Sequence, residues 1–460
     1  MAGVTLSGQR TLKDLEGEWL GKLKTPSVEL QVIFRFTITA ADSIKAVLDS
    51  PDQGAFDIPC GEVTFQEDTV FIDIPVVQGS YRGGFSSDSL ISGTFTQMGR
   101  KNDLTIKKGV KPVVHNRPQE PKPPYPYREE EVTFINTVEN FSLTGTLTLP
   151  QGEGPFPAVV LISGSGQQDR NETVFMHKPF LVLADHLTRN GIAVLRYDDR
   201  GVGKSKGNAI KATSLSFADD AEAAVNYLMQ RSEINVKKTG LAGHSEGGLI
   251  APIVASRNRN IAFIVSLAGP GVTGYDVILR QTEDIMRASG AAQAEIAETL
   301  ATNGQLFHML IDESDQRKFS KDAMEWYGKE LDKKGLTQEE RQQKMAAFAQ
   351  GLVSANNPWM RYFLATDPAQ FWSQVKCPVL ALNGEKDLQV SQEINLPAIR
   401  AALRSGGNRK VKTVMLPGLN HLFQHSETGS PDEYIKIEET FSPGAMELIS
   451  SWIRKTMKIK

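Results

Sequence analysis

Cysteine is nearly absent from this chain. Cys60 and Cys377 are the two thiols in 460 residues, and they fall in segments of different texture. A disulfide framework is thereby excluded as the device holding the fold together, and two free thiols are expected. Long apolar runs are missing as well. Stretches such as Phe156–Ile162 have the length of a buried strand and fall far short of the roughly 18–20 residues of a membrane span, so none is expected. An excess of charge of one sign is also lacking. The 51 Lys and Arg nearly balance the 54 Asp and Glu, for a formal net charge of -3. Electrostatics therefore gives no reason to expect a nucleic-acid partner or an anionic membrane surface. No repeat of blade length recurs, which argues against a propeller, whose four or more blades need about 40 residues each. Met1–Leu20 lacks a basic stretch followed by an apolar one. A cytoplasmic chain, or one whose leader has been removed, is the expectation.

What is present is the composition of a globular protein, with 40% hydrophobic and 23% charged residues. The length suits two or three packed units. Residues 1–109 read as all-β. Apolar and polar residues alternate in Leu30–Phe36 and Val70–Ile74, and turn clusters such as Ser50–Gly54, Gln78–Ser80 and Gly83-Gly84 separate the runs. A small barrel or sandwich is expected there. Residues 110–128 hold Pro112, Pro118, Pro121, Pro123, Pro124 and Pro126, a density that favours an extended, semi-rigid linker.

From residue 129 the texture changes. Two β-like runs, Glu131–Thr137 and Phe141–Leu149, come first. Strand and helix signals then alternate, with strands expected over Ala158–Ile162, Ile192–Arg196, Thr239–Ala242, Ala262–Leu267, Val379–Leu382 and Lys412–Leu416, and a helix over Phe217–Gln230. Alternation of this kind predicts a mostly parallel sheet with helices on both faces. Residues 129–270 and 377–460 form its two parts. Between them, residues 271–376 are rich in helix formers and end in the cluster Trp359, Tyr362, Phe363. An interval of this length is no ordinary connection. It is expected to be a helical cap over the carboxyl edge of the sheet, with at least one of those three rings lining a substrate pocket. The competing reading makes all three the core of the cap.

Two G-x-S-x-G pentapeptides occur, Gly243–Gly247 and Gly203–Gly207. The first follows a predicted strand and opens a predicted helix, Glu246–Ser256, as a nucleophile elbow requires. Gly243 and Gly247 supply the small residues that such a sharp turn demands. The second lies in a charged loop. Ser245 is therefore the candidate nucleophile. A serine hydroxyl needs a base, and the base needs a group that holds its tautomer. Asp387 follows the strand ending near Leu382, and His421 follows the last strand. Both should lie at the same sheet edge as Ser245, in the chain order Ser, Asp, His. Glu385 and His425 are the rivals for acid and base. His421 and His425 stand four apart, but Leu422 occupies the place that glutamate holds in H-E-x-x-H, so no metal site is expected. The oxyanion hole should draw on the amide of Glu246 and on Ser165, then Gly164, in the glycine-rich loop after Leu161.

Two nucleotide-binding patterns fail. Gly203-Lys204-Ser205 lacks the earlier glycine of a phosphate-binding loop, since Asp198 stands there, and Lys206 replaces the third glycine of a dinucleotide fingerprint. Arg196–Gly201 is read instead as a charged loop bracing the site's edge.

Taken together, Gly164–Glu172, Arg196–Ser205, Gly243–Gly248, Pro358–Pro368 and Asn383–Val390 resemble bacterial α/β-hydrolase esterases of the EstD type. The resemblance runs from about residue 129 to the C-terminus, with Gln167 departing from a common proline. It implies the α/β-hydrolase fold and a Ser245, Asp387, His421 triad. It also implies carboxylesterase action on small, short-chain esters through an acyl-enzyme, with no metal or organic cofactor. The β-rich N-terminal region resembles the extra domain of some exported members, which points to the bacterial periplasm or secretion, with the cytoplasm as alternative. Other readings are a peptidase of the prolyl-oligopeptidase type, a thioesterase or lactonase, or a glycan- or lipid-binding protein with a vestigial hydrolase.

Overall fold

The computed structural model describes residues 10–24, 29–39, 43–53, 55–97, 100–113 and 115–459. Gly54 of the predicted turn and the first nine residues of the segment Met1–Leu20 lie outside the described residues. The chain divides into two compact units. One comprises Met1–Asn116 with Val174–His177 and Tyr434–Glu438, and the other comprises Arg117–Thr173, Lys178–Glu433 and Glu439–Lys460.

The first unit opens with a short helix, α1 (Leu12–Leu15). Nine strands follow: β1 (Gly17–Lys24), β2 (Glu29–Ile38), β3 (Ile44–Ser50), β4 (Ala55–Pro59), β5 (Val63–Gln66), β6 (Thr69–Ile74), β7 (Gly79–Ser87), β8 (Leu90–Gln97) and β9 (Arg100–Lys108). They form one antiparallel sheet in the order β4-β3-β2-β1-β9-β8-β7-β6-β5. A sandwich, one of the two predicted forms, is thus replaced by a single sheet around one core of Trp19, Phe34, Ile72, Tyr81, Ile91 and Ile106. Period-2 alternation marks which face of a strand is buried, and it is the same whether that face meets a second sheet or the far side of its own. The polar ends of the large rings are satisfied inside. The Trp19 indole donates to Leu15 O at 2.7 Å, and the Tyr81 hydroxyl lies 3.2 Å from Leu104 O.

The second unit contains an eight-stranded sheet: β10 (Arg128–Asn136), β11 (Phe141–Leu149), β12 (Phe156–Ile162), β13 (Ala193–Tyr197), β14 (Ile234–His244), β15 (Ile264–Leu267), β16 (Val379–Gly384) and β17 (Val411–Leu416). Its order is β10-β11-β13-β12-β14-β15-β16-β17. β10 and β11 run antiparallel at one edge, and the remaining six are parallel. Their carboxyl ends therefore share one edge, where loops from different strands converge.

β12 shows why this sequence takes this layering. Ala158, Val160 and Ile162 point into a core shared with α3 (Ser214–Met229) and α4 (Gly247–Arg257), while Val159 and Leu161 point into a second core with α2 (Pro179–Arg189) and α13 (Pro443–Met457). A strand buried on both faces needs an unbroken apolar run, and this one has it.

Between β15 and β16 lie α5 (Gly274–Ala288), α6 (Gln293–Asp312), α7 (Gln316–Asp332), α8 (Gln338–Ala355), α9 (Pro358–Ala365) and α10 (Ala369–Trp372). Leu306, Leu310, Phe319, Leu352 and Leu364 from α6 to α9 make a small core of their own. The remaining helices are α11 (Gln392–Ser405), against β16 and β17, and α12 (Pro431–Tyr434). No described helix is long and apolar enough to cross a membrane.

Candidate active site

Ser245 sits between the end of β14 and the start of α4 with φ of +52°. That region is costly for a residue with a Cβ and persists only where the surroundings enforce it. The enforcement is local. The Ser245 amide donates to Leu267 O at 2.8 Å, and the Gly248 amide donates to Ser245 O at 2.8 Å. A Cβ on Gly243 would lie 1.9 Å from Gly247 O, and one on Gly247 would lie 2.1 Å from Ile162 O. The flanking glycines are thus required by contact.

His421 and Asp387 come together from the loops after β17 and β16. His421 Nδ1 lies 2.9 Å from Asp387 Oδ2, and both residues are buried. The other Asp387 oxygen accepts the amides of Gln389 at 2.8 Å and Val390 at 2.9 Å, which fixes the carboxylate's rotation. A carboxylate so placed selects the tautomer with the proton on Nδ1 and leaves Nε2 as the acceptor. The predicted rivals lie elsewhere. Glu385 accepts the Gly418 amide at 2.9 Å, and His425 is exposed and pairs with Glu439 at 2.8 Å. Among the described residues no hydrogen bond joins Ser245 Oγ to the His421 ring. The elbow and the His421 loop meet one residue away, where His244 Nε2 lies 2.9 Å from His421 O.

The loop after β12 packs against the elbow, since a Cβ on Gly164 would lie 3.2 Å from Ser245 Cβ. One sequence expectation is corrected here. The Gly164 amide is not open to a ligand, because it donates to Glu172 Oε1 at 2.7 Å. Among the described residues the amides of Ser165 and Glu246 have no acceptor within the protein.

The charged segment after β13 braces this loop. Asp199 accepts from Ser163 Oγ at 3.0 Å and from the Gln168 amide at 2.9 Å. Asp198 holds the Arg170 guanidinium through two contacts, of 3.0 and 2.6 Å, and accepts the Arg170 amide at 2.9 Å, and Arg200 holds Asp220 at 2.7 and 3.0 Å. Burial pushes the Asp199 carboxyl up to about 8, against those two hydrogen bonds. Ser205, in the second pentapeptide, is buried. It accepts the Thr144 amide at 2.9 Å and donates to Asp198 O at 2.7 Å, so it is a strut of this segment.

The aromatic cluster divides. Phe363 is buried in the core shared with α3 and α4. Trp359 stacks on it at 5.3 Å between centroids, and its indole N–H reaches Glu246 Oε1 at 2.8 Å. Tyr362 is half-buried. Sequence reasoning assigned no role to Glu172, although it ends a quoted motif, and none to His244, the variable residue of the pentapeptide.

Among the described residues no group of three or more His, Cys, Asp or Glu side chains has the arrangement of a metal site.

The eight-stranded sheet and the sharp turn at Ser245 have the layout of the α/β-hydrolase fold. A family model described as serine aminopeptidase, S33, matches residues 177–344, which include Ser245. The sequence resembles esterase EstD of Thermotoga maritima, at 28% identity over 317 residues, covering 68% of this chain and 64% of that protein. The chain thus spans a little under two thirds of that relative. Human acyl-coenzyme A thioesterase 1 is 27% identical over 180 residues, covering 38% of this chain and 39% of the thioesterase. Among solved structures, an esterase of Pyrococcus furiosus aligns with a TM-score of 0.43 and 15% identity over 76% of this chain and 98% of its own.

Proposed function

We propose that this chain hydrolyses carboxylic esters of small molecules, with Ser245 as nucleophile, His421 as general base and Asp387 as its orienting acid. The observation that carries the reading is the His421–Asp387 hydrogen bond of 2.9 Å beside a serine held at φ of +52°. Ser245 Oγ attacks the ester carbonyl carbon while His421 Nε2 takes the hydroxyl proton. The oxyanion of the tetrahedral intermediate accepts from the amides of Glu246 and Ser165. Collapse breaks the bond to the alcohol, which leaves with the proton from His421. Water then repeats the sequence on the acyl-enzyme and releases the acid. Helix α4 starts just beyond Ser245, so its positive end favours the oxyanion.

Helices α5–α9 act as a cap in this reading, with Trp359 and Tyr362 facing the acyl group and limiting its length. The likeness to EstD supports oxoesters, and the partial likeness to a thioesterase supports thioesters as the second substrate class. A panel of p-nitrophenyl esters graded by chain length, with acyl-coenzyme A thioesters and aminoacyl-nitroanilides beside it, tests the choice. Short oxoesters should be turned over with the highest kcat/KM. Preferential cleavage of the thioesters or of the anilides would contradict the proposal.

A further inference from the structure

Beside the proposed triad stands a second buried imidazole that the reaction above does not use. His244 is 6% exposed and its partner Glu172 is 3% exposed. His244 Nδ1 lies 2.9 Å from Glu172 Oε1, and Nε2 lies 2.9 Å from His421 O. The same Glu172 oxygen accepts the Gly164 amide at 2.7 Å. A main-chain carbonyl only accepts, so Nε2 must carry a proton. An ionised Glu172 only accepts, so beside that carboxylate Nδ1 carries another. A ring with both nitrogens protonated is an imidazolium. Burial pulls the His244 pKa down, but the Glu172 carboxylate, its hydrogen bond, the His421 carbonyl and the more distant Asp387 outweigh it, and the net direction is up.

These contacts form one chain across the sheet edge. It runs from the Gly164 amide through Glu172 and His244 to the main chain of His421, whose ring is held in turn by Asp387. Glu172 itself has φ of +53°, a backbone held in place by its surroundings. A buried charge pair is a poor way to add stability, since apolar replacements of the same volume are often as good or better. Its use here is geometric, because both ring nitrogens are spent on fixing separate loops.

We infer that Glu172 and His244 are a positioning pair, a buried carboxylate and imidazolium that lock the oxyanion loop, the Ser245 elbow and the His421 loop into one register. The inference rests on the triad proposed above. Neither residue touches the reacting atoms, so the effect should fall on kcat, through misplacement of His421 and of the Ser165 amide.

The test uses the full chain and the variants Glu172→Gln, His244→Gln and their combination. A fluorophosphonate titrates reactive Ser245, and turnover of p-nitrophenyl acetate is expressed per titrated site, which removes differences in folded fraction. Each single variant should lose about 10- to 100-fold in kcat with KM little changed, the scale of a small misplacement. The double variant should lose no more than the worse single, because the two act as one unit. Imidazole nitrogen-15 spectra of the wild-type chain, with His244 assigned by its loss in His244→Gln, should show both ring nitrogens protonated at neutral pH. Variants that turn over at the wild-type rate per site, losses that multiply in the double variant, or a neutral His244 would each overturn the pair. If the wild-type chain takes no label at Ser245, the triad reading fails and the pair falls with it. A labelled wild type with unaffected variants removes only the pair.

Discussion

The indole N–H of Trp359 donates to Glu246 Oε1 at 2.8 Å, and so ties α9 to the residue directly after Ser245. The same oxygen accepts from Ser214 Oγ at 2.6 Å, at the start of α3. Burial pushes the Glu246 carboxyl upward in pKa, against these two hydrogen bonds. The side chain of an oxyanion-hole candidate is thereby anchored to the helical insertion.

Trp359→Ala should shift the preferred acyl chain of p-nitrophenyl esters to longer lengths. One methylene in an apolar pocket is worth about 1–3 kcal/mol, enough to be visible in kcat/KM. Phe363→Ala should behave differently, costing about 3–5 kcal/mol in denaturant unfolding as a core ring does, with the chain-length profile unmoved. An unchanged profile in Trp359→Ala would make that ring a structural anchor and nothing more.

Asp387→Asn should lower kcat by up to about 10⁴-fold, as in related triads, because the amide holds His421 in the wrong tautomer. Glu385→Gln should cost far less, since that carboxylate only accepts the Gly418 amide. A reversed ranking in steady-state kinetics would move the acid to Glu385.

Much of this site was legible in the sequence because its constraints are local. A serine forced to positive φ between glycines that cannot bear a Cβ leaves a pattern within five residues. Asp387 was readable because it follows the continuous apolar run Val379–Leu382, and His421 because it follows the last strand, although Lys412 and Thr413 interrupt that run. The extent of β14 was not, since Asn235, Lys237 and Lys238 hide its first half behind polar side chains. Glu172 and His244 stand 72 positions apart, and no spacing rule links a carboxylate to an imidazole across two loops. The occupied Gly164 amide was hidden for the same reason. The burial of Phe363 was not legible either, because a buried ring beside a site and a ring lining it have the same sequence signature.

Asp199 should leave a mark on the pH dependence of stability. Its carboxyl titrates near 8 in the folded chain, chiefly through burial, against an ordinary value of 3.8. Between those values the native state holds a proton that the unfolded chain has released. Unfolding then liberates a proton, so stability falls as pH rises through this window and levels off above it. One proton corresponds to about 1.4 kcal/mol per pH unit at most. Asp199→Asn should remove this contribution. Urea unfolding from pH 5 to pH 9 should therefore show a shallower decline in the variant than in the wild type. Parallel curves would place the Asp199 carboxylate in its charged form throughout.

The central claim is that Ser245 is the nucleophile. Mass spectrometry of the peptide modified by a fluorophosphonate probe tests it most directly, with Ser245→Ala as the control. One probe should be bound per chain, on the peptide containing Gly243–Gly247, and the alanine variant should take no label and hydrolyse no ester while unfolding at the wild-type denaturant midpoint. Label on Ser205, or ester turnover that survives in Ser245→Ala, would contradict the account.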